Sequence, residues 1–218
     1  IAAVIYEYWA RLWGAATGIV TGEEKGRRLG IGLILASVPI VIIGLTLGQT
    51  VKALLFNDIA IAIGLIVGGL IIIWVEKNPP VVRAQEVDDL TIKDAVWIGL
   101  IQVLSLIPGT SRSGATIIGA MMLGVSRKAA TEFSFFLGIP VIVGAGLLDL
   151  YQSYHVFQGA ADWAVIAVGL LVSFISALIL IRVLVAYVAK RDFMIFAWYR
   201  IASGLVILLF AFTGWKLW

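Results

Sequence analysis

The sequence predicts an all-α integral membrane protein with about six transmembrane helices and one re-entrant helical hairpin. Three observations carry that expectation. First, 61% of the residues are hydrophobic and only 13% are charged, about half the ~25% charge of a soluble domain. With a mean hydropathy of +1.06, lipid rather than a protein core must cover much of the apolar surface. Second, the apolar residues fall into runs long enough to cross a bilayer. Third, one stretch consists of two runs that are each too short to cross, with a polar, glycine-bearing turn between them.

The elements follow in order. Residues 1–20 are apolar apart from Glu7 and Arg11, whose spacing of four lets them pair on one helix face. The chain opens inside this run, with no Met or charged leader before it. The first helix is therefore expected to be incomplete, with a segment lost ahead of it. Further spans are expected at 29–48 (with Pro39 tolerated as a kink), 58–75, 129–148, 163–189 and 193–215. Trp74, Trp163, Tyr187, Trp215 and Trp218 lie near the ends of spans, as interfacial anchors do. Residues 95–125 depart from the pattern. Ala95–Ile107 would make ~20 Å of helix, short of a hydrocarbon core of ~30 Å, and the run 115–125 is shorter still. Irregular backbone at membrane depth needs protein or a wet cavity around it, so the turn at 108–114 is a candidate site. The whole chain, 1–218, reads as a single polytopic domain, with 95–125 as the hairpin.

Basic residues orient the spans. Lys25, Arg27, Arg28, Lys77, Arg83, Lys93, Arg127, Lys128, Lys190 and Arg191 fall on one side if the hairpin returns to the side it left. Lys52 and Lys216 fall on the other. By the positive-inside rule the rich side is cytoplasmic. The basic residues form no patch, so nucleic acid is not an expected partner despite a pI near 9.3. Cysteine is absent, which excludes disulfide frameworks and thiolate chemistry.

The turn reads Pro108-Gly109-Thr110-Ser111-Arg112-Ser113-Gly114-Ala115-Thr116. An arginine within a membrane is costly and is usually functional or paired. Its planar five-donor fork matches phosphate oxygens. Ser111, Ser113 and Thr116 add hydroxyls, and Thr110 adds another beside them. Gly109 and Gly114 permit a tight turn and close approach of a ligand, and the following helix aims its N-terminus at the site. The competing reading is a capped turn in which Ser113 is the N-cap and Arg112 is bound to a buried carboxylate. Glu132 likewise has two readings: a functional intramembrane carboxylate, or a partner of Arg127 or Lys128.

This run resembles the PGxSRSGxT signature of the bacterial undecaprenyl-diphosphate phosphatase family, the bacitracin-resistance phosphatases. Glu132-Phe133-Ser134-Phe135 followed by Pro140, and the closing Tyr199-Arg200 helix, are similar to that family as well. The resemblance implies hydrolysis of undecaprenyl diphosphate to undecaprenyl phosphate and inorganic phosphate, which recycles the lipid carrier for cell-wall synthesis. It implies a multi-pass protein of the bacterial inner (plasma) membrane, with its active site facing the periplasm or exterior. It implies a divalent cation, Mg2+ or Ca2+, and a polyprenyl diphosphate as partner. Whether the chain forms a homodimer is left open. By this match Arg112, Ser111, Ser113 and Thr116 are catalytic, and Gly109, Thr110, Gly114 and Glu132 bind substrate. The family also carries an ExxxE glutamate pair, a Ser-rich turn and a His on an earlier hairpin. This chain has no such element before its signature, so the metal ligands and a second hairpin are expected in a segment ahead of Ile1.

Other polar residues read as structural. His155 reads as a surface loop residue, Asp88-Asp89 as a solvated loop, and Arg182 and Arg200 as snorkelling side chains near helix ends. Gly68-Gly69 reads as a close helix contact. The alternative function is a transporter or translocase for a phosphorylated lipid, since broken helices with polar tips also occur there.

Overall fold

The computed structural model of the protein describes residues 1–153 and 160–213, with the backbone alone at 160–162. His155, Trp215, Lys216 and Trp218 lie outside the described residues. The described chain is helical throughout: α1 (Ala2–Glu7), α2 (Trp9–Thr21), α3 (Glu24–Leu55), α4 (Asp58–Lys77), α5 (Ile92–Gln102), α6 (Arg112–Met122), α7 (Arg127–Ser153), α8 (Ala160–Val188) and α9 (Met194–Thr213). Among the described residues five helices, α3, α4, α7, α8 and α9, are long and apolar enough to cross a membrane.

These five match five of the expected spans; the first, 1–20, is not one long helix but two, α1 and α2. The helix breaks at Tyr8, whose backbone sits at φ −112°, ψ 24°, in the sparsely allowed bridge region. The Tyr8 ring turns onto α7, edge-on to Phe136 with centroids 5.0 Å apart. The break also removes the expected Glu7–Arg11 pair. Glu7 instead meets Arg182 of α8 at 2.8 Å. Arg11 lies 3.4 Å from Glu132, 3.7 Å from Glu86 and 4.0 Å from Asp88.

The core lies where α5, α6 and the first half of α7 meet α3. Ile98, Phe133, Phe136 and Leu137 are fully buried there. On α7 the burial stops near Pro140, and Ile142, Val143, Leu147 and Leu148 are exposed, as suits a lipid-facing half. Helix α8 is exposed along nearly its whole length and is apolar throughout, the signature of a surface covered by hydrocarbon. Helices α4 and α9 pack at backbone distance: a Cβ added to Gly69 would lie 2.8 Å from Ala197 O, and one on Gly204 would lie 2.8 Å from Ala62 O. This is the close contact expected of Gly69.

Helices α5 and α6 form a hairpin. Each has 11 residues, or ~16 Å of helix, about half a bilayer core. Its two ends are tied together by one side chain. Arg83 donates from Nε to Leu123 O at 2.8 Å at the leaving end and forms a bidentate pair with Asp94 at the entering end. A short parallel bridge between Ala84 and Val125 reinforces the closure, with Arg83 N–H donating to Gly124 O and Ser126 N–H to Ala84 O, each at 2.8 Å. Both ends of the hairpin thus lie at the linker (78–91). Asp94 also accepts from Thr91 N–H at 3.0 Å and Thr91 Oγ1 at 2.8 Å, a capping box that starts α5. Burial alone would raise the Asp94 carboxyl; the Arg83 guanidinium and the Thr91 donors outweigh it and hold the group below the ordinary carboxylate range. Nearby, Asp89 accepts from the N–H groups of Gln85 and Glu86, so the Asp88-Asp89 pair serves to turn the linker.

Candidate anion site at the hairpin tip

The tip is built by the residue types of the turn. A 3-10 turn, Val103–Leu106, ends α5, and Thr110 N–H donates to Ile107 O at 3.1 Å to close the loop. Gly109 has φ +81°, a conformation disfavoured for residues with a Cβ. A Cβ there would also overlap the Ile61 carbonyl of α4. Helix α6 then begins, and its N-cap is Ser111 rather than Ser113: Ser111 Oγ accepts from Gly114 N–H at 3.1 Å. The shift by two residues leaves Ser113 exposed, with its hydroxyl 3.3 Å from that of Ser111.

Arg112, the first residue of α6, is half-buried. Its Nε donates to Gln102 Oε1 at 2.9 Å and its Nη2 to Ser134 O at 3.4 Å. Its Nη1 packs at Gly138 of α7, 2.8 Å from where a Cβ would stand. Among the described residues no carboxylate lies within ion-pair distance of Arg112. Among the described residues Arg112 thus lacks the carboxylate that the competing reading requires. Gln102 was not singled out in the sequence. It is the last residue of α5, and a glutamine within an apolar run carries no spacing that marks it.

Arg200 corrects a second expectation. It does not snorkel: it is buried, and its Nη2 donates to Gly64 O at 3.1 Å and Gly109 O at 3.0 Å. A Cβ on Gly68 would overlap that guanidinium, so the glycine makes room for the arginine as well as for helix packing. Arg182, by contrast, is largely exposed and paired with Glu7.

Two expected site residues sit elsewhere. Thr116 is fully buried, and its hydroxyl lies 2.7 Å from that of Ser134 and bonds the carbonyls of Arg112 and Ser113. It fastens α6 to α7 instead of facing a ligand, because it lies one turn into the helix on its α7 side. Glu132 is buried and faces Arg11. Two residues from Ser134 on the same helix, it points to a different side of α7 from the hairpin tip. Neither basic neighbour expected for it takes the role: Arg127 pairs with Glu76 and Lys128 with Glu86.

Two apolar grooves run from the tip. One, of about 320 Å³, is lined by Leu65, Ile117, Leu184, Phe196, Tyr199 and Arg200, with Ser111 and Ser113 at its polar end. The other, of about 370 Å³, lies between α4 and α6, with Ile71, Trp74, Leu104, Thr110, Ile118 and Met122 in its walls. Ser111, Gly114 and Arg200 border both. The grooves thus meet the Arg200 guanidinium and the Ser111 and Ser113 hydroxyls at a helix N-terminus, while the Arg112 guanidinium turns to the α7 side of α6. The site's donors suit an anion, and they give a divalent cation no carboxylate. Among the described residues no cluster of three or more His, Asp or Glu side chains stands within reach of one metal ion.

Comparison with known proteins agrees with the geometry. The family model described as bacitracin resistance protein BacA matches residues 1–206. A protein of Acinetobacter baylyi named undecaprenyl-diphosphatase 1 is 78% identical over 218 residues, covering 100% of this chain and 80% of that protein. Undecaprenyl-diphosphatases of Psychrobacter cryohalolentis and Variovorax paradoxus are 55% and 47% identical, covering 97% and 100% of this chain and 77% and 79% of their own lengths. The alignments do not assign the unmatched part of the relatives to either end, so the expected loss of a segment ahead of Ile1 gains no support from them. The transporter alternative is not favoured by these names. With its signature loop at the tip of a helical hairpin and a match that runs from residue 1 to residue 206, the chain belongs to the bacitracin resistance protein family.

Proposed function

We propose that this protein is the membrane phosphatase that its relatives' names describe, cleaving undecaprenyl diphosphate to undecaprenyl phosphate and inorganic phosphate. The observation that carries the reading is Arg112, a half-buried cation at a helix N-terminus whose only partners among the described residues are neutral oxygens. Water adds to the terminal phosphorus, the P–O–P anhydride bond breaks, and the bridging oxygen leaves on the lipid phosphate. Phosphoryl transfer depends mostly on positioning and neutralising charge. Arg112 would hold the equatorial oxygens, with the Ser111 and Ser113 hydroxyls and the start of α6 beside it. The hydroxyls of Ser111 and Ser113 have no general base among their hydrogen-bond partners, so binding, not attack, is their assigned role. Gly109, Thr110 and Gly114 shape the tip, and Thr116 acts at one remove by holding α6 on α7. The apolar grooves would take the prenyl chain. The divalent cation that the family resemblance implies is given no ligand by this hairpin, and the chemistry assigned to these residues is anion binding alone.

The excess of basic residues near the linker supports a cytoplasmic linker in the bacterial inner membrane, with the hairpin re-entrant from that side. Its tip then opens toward the exterior. Phosphate release from undecaprenyl diphosphate tests the reading. Arg112→Lys keeps the charge but loses the fork, and activity should fall by roughly 30- to 1000-fold, the ~2–4 kcal/mol of one transition-state donor. Near-normal turnover of that variant would refute the clamp.

A further inference from the structure

Two buried side-chain donors among the described residues lack an acceptor: Gln102 Nε2 and Arg200 Nε. Both belong to residues that grip the hairpin tip. Gln102 ends α5, is fully buried, and accepts from Arg112 Nε through Oε1. The amide can face only one way, because an arginine nitrogen offers protons alone and must meet the oxygen. That orientation leaves the amide nitrogen unmatched inside the protein, a costly arrangement. A glutamate has the same length. It would remove the unmatched N–H2, form a charge-assisted bond about twice as strong, and discharge a cation held inside the membrane.

The chain uses that solution elsewhere. Arg11, Arg28, Arg83, Arg127 and Arg182 each meet a carboxylate. Arg27 and Arg191 are exposed. Among the described residues only the two arginines at the tip are held wholly by neutral acceptors: Arg112 by Gln102 Oε1 and Ser134 O, and Arg200 by Gly64 O and Gly109 O. Holding both this way ties the tip together while leaving positive charge that no carboxylate among the described residues neutralises.

We propose that Gln102 is a positioning residue whose neutrality is its function: it fixes the plane of the Arg112 guanidinium through Nε and leaves that charge undischarged for a polyanionic diphosphate group. The inference rests on the phosphatase reading and adds a specific role to it. Gln102 does not touch the ligand; it sets the orientation and the net charge of the group that does. Grip through Nε and Nη2 leaves Nη1, which lies against Gly138 of α7, without a hydrogen bond among the described residues.

The test compares Gln102→Glu with Gln102→Met in the 218-residue chain in detergent. Inorganic pyrophosphate binding is followed by calorimetry and folding by melting temperature. Glu at this position pairs with Arg112, so the melting temperature should hold or rise while pyrophosphate affinity falls by roughly 100-fold. Met removes the acceptor but leaves the charge, so affinity should fall by only about 10-fold, with a lower melting temperature. Opposite movement of stability and affinity in Gln102→Glu is the result that a merely structural glutamine would not produce. Three results overturn the proposal: Gln102→Glu binding pyrophosphate within about 3-fold of wild type, Gln102→Glu melting below Gln102→Met, or Gln102→Glu failing to fold. Absence of pyrophosphate binding in the wild-type chain would overturn the phosphatase reading itself, and is seen before any variant is made.

Discussion

Gly64→Ala should cripple the site from a position with no chemistry of its own. A Cβ at residue 64 would stand 2.6 Å from the Pro108 carbonyl oxygen and 3.2 Å from Gly109 Cα. A relaxed carbon–oxygen contact is ~3.3 Å, so helix and tip must separate by ~0.7 Å. Helix α4 is locked against α9 through Gly69 and Gly204, and the tip is the softer partner. Its retreat stretches the Arg200–Gly109 bond, now 3.0 Å, and carries Ser111 and Arg112 with it. A misplacement near 1 Å costs ~100-fold in a preorganised site, so the expected loss is roughly 10- to 100-fold in phosphate release. The helix itself gains from alanine, by up to ~1 kcal/mol, so the variant should not melt early through α4. Gly48→Ala is the control, because a Cβ there meets nothing within 4 Å. The assay is turnover of undecaprenyl diphosphate in detergent, beside melting curves for both variants. Equal turnover in Gly64→Ala and Gly48→Ala would show that the tip is not positioned by α4, and the account of how the loop is held would fall with it.

Three further outcomes are expected. Thr116→Val leaves the Ser134 hydroxyl without its buried partner and should destabilise the chain by ~1–3 kcal/mol while leaving KM unchanged; a raised KM with normal stability would return Thr116 to the ligand. The Asp94 carboxyl is held below its unfolded value of ~3.9, so its contribution to stability is complete above about pH 4 and is lost as pH falls through the folded value. As the pH is lowered from about 4 towards about 3, the melting temperature should therefore fall further in the wild type than in Asp94→Asn, and equal falls would contradict the pairing. Because the chain has no cysteine, Thr110→Cys is a clean probe: a membrane-impermeant thiol reagent should reach it from the exterior, and labelling only from the cytoplasm would invert the proposed orientation.

Much of this was legible in the sequence, for reasons that can be stated. The five long helices were visible because apolar length is a direct physical requirement of the bilayer. The hairpin was visible because its two runs fail that requirement, while the turn between them holds groups that need a partner. Arg112 was recognisable by the cost of its position. Arg200 was not: the sequence shows an arginine near a helix end and cannot show that Gly68, 132 positions earlier, leaves space for it to turn inward. Gln102 was hidden for a similar reason, since a glutamine in an apolar run has no distinguishing spacing. The break at Tyr8 escaped notice because residues 1–20 have helical composition throughout, and the contacts of Tyr8 with Phe136 and Glu132 on α7 leave no mark on local spacing. Glu7 and Arg11 then found partners on α8 and α7 that no local spacing could reveal.

The Arg200 contact has a consequence for how the protein matures. Gly109 O and Gly64 O are made early in synthesis, and their shared donor follows Gly109 by 91 residues, on the last described helix. Until α9 enters the membrane beside α4, both carbonyls lack that donor and the tip is held only through α4, α5 and α7. Docking of α9 therefore does two things in one event: it closes the helix bundle and sets the loop. The loop is therefore expected to settle late, once the last described helix is in place, and not while the hairpin alone is in the membrane.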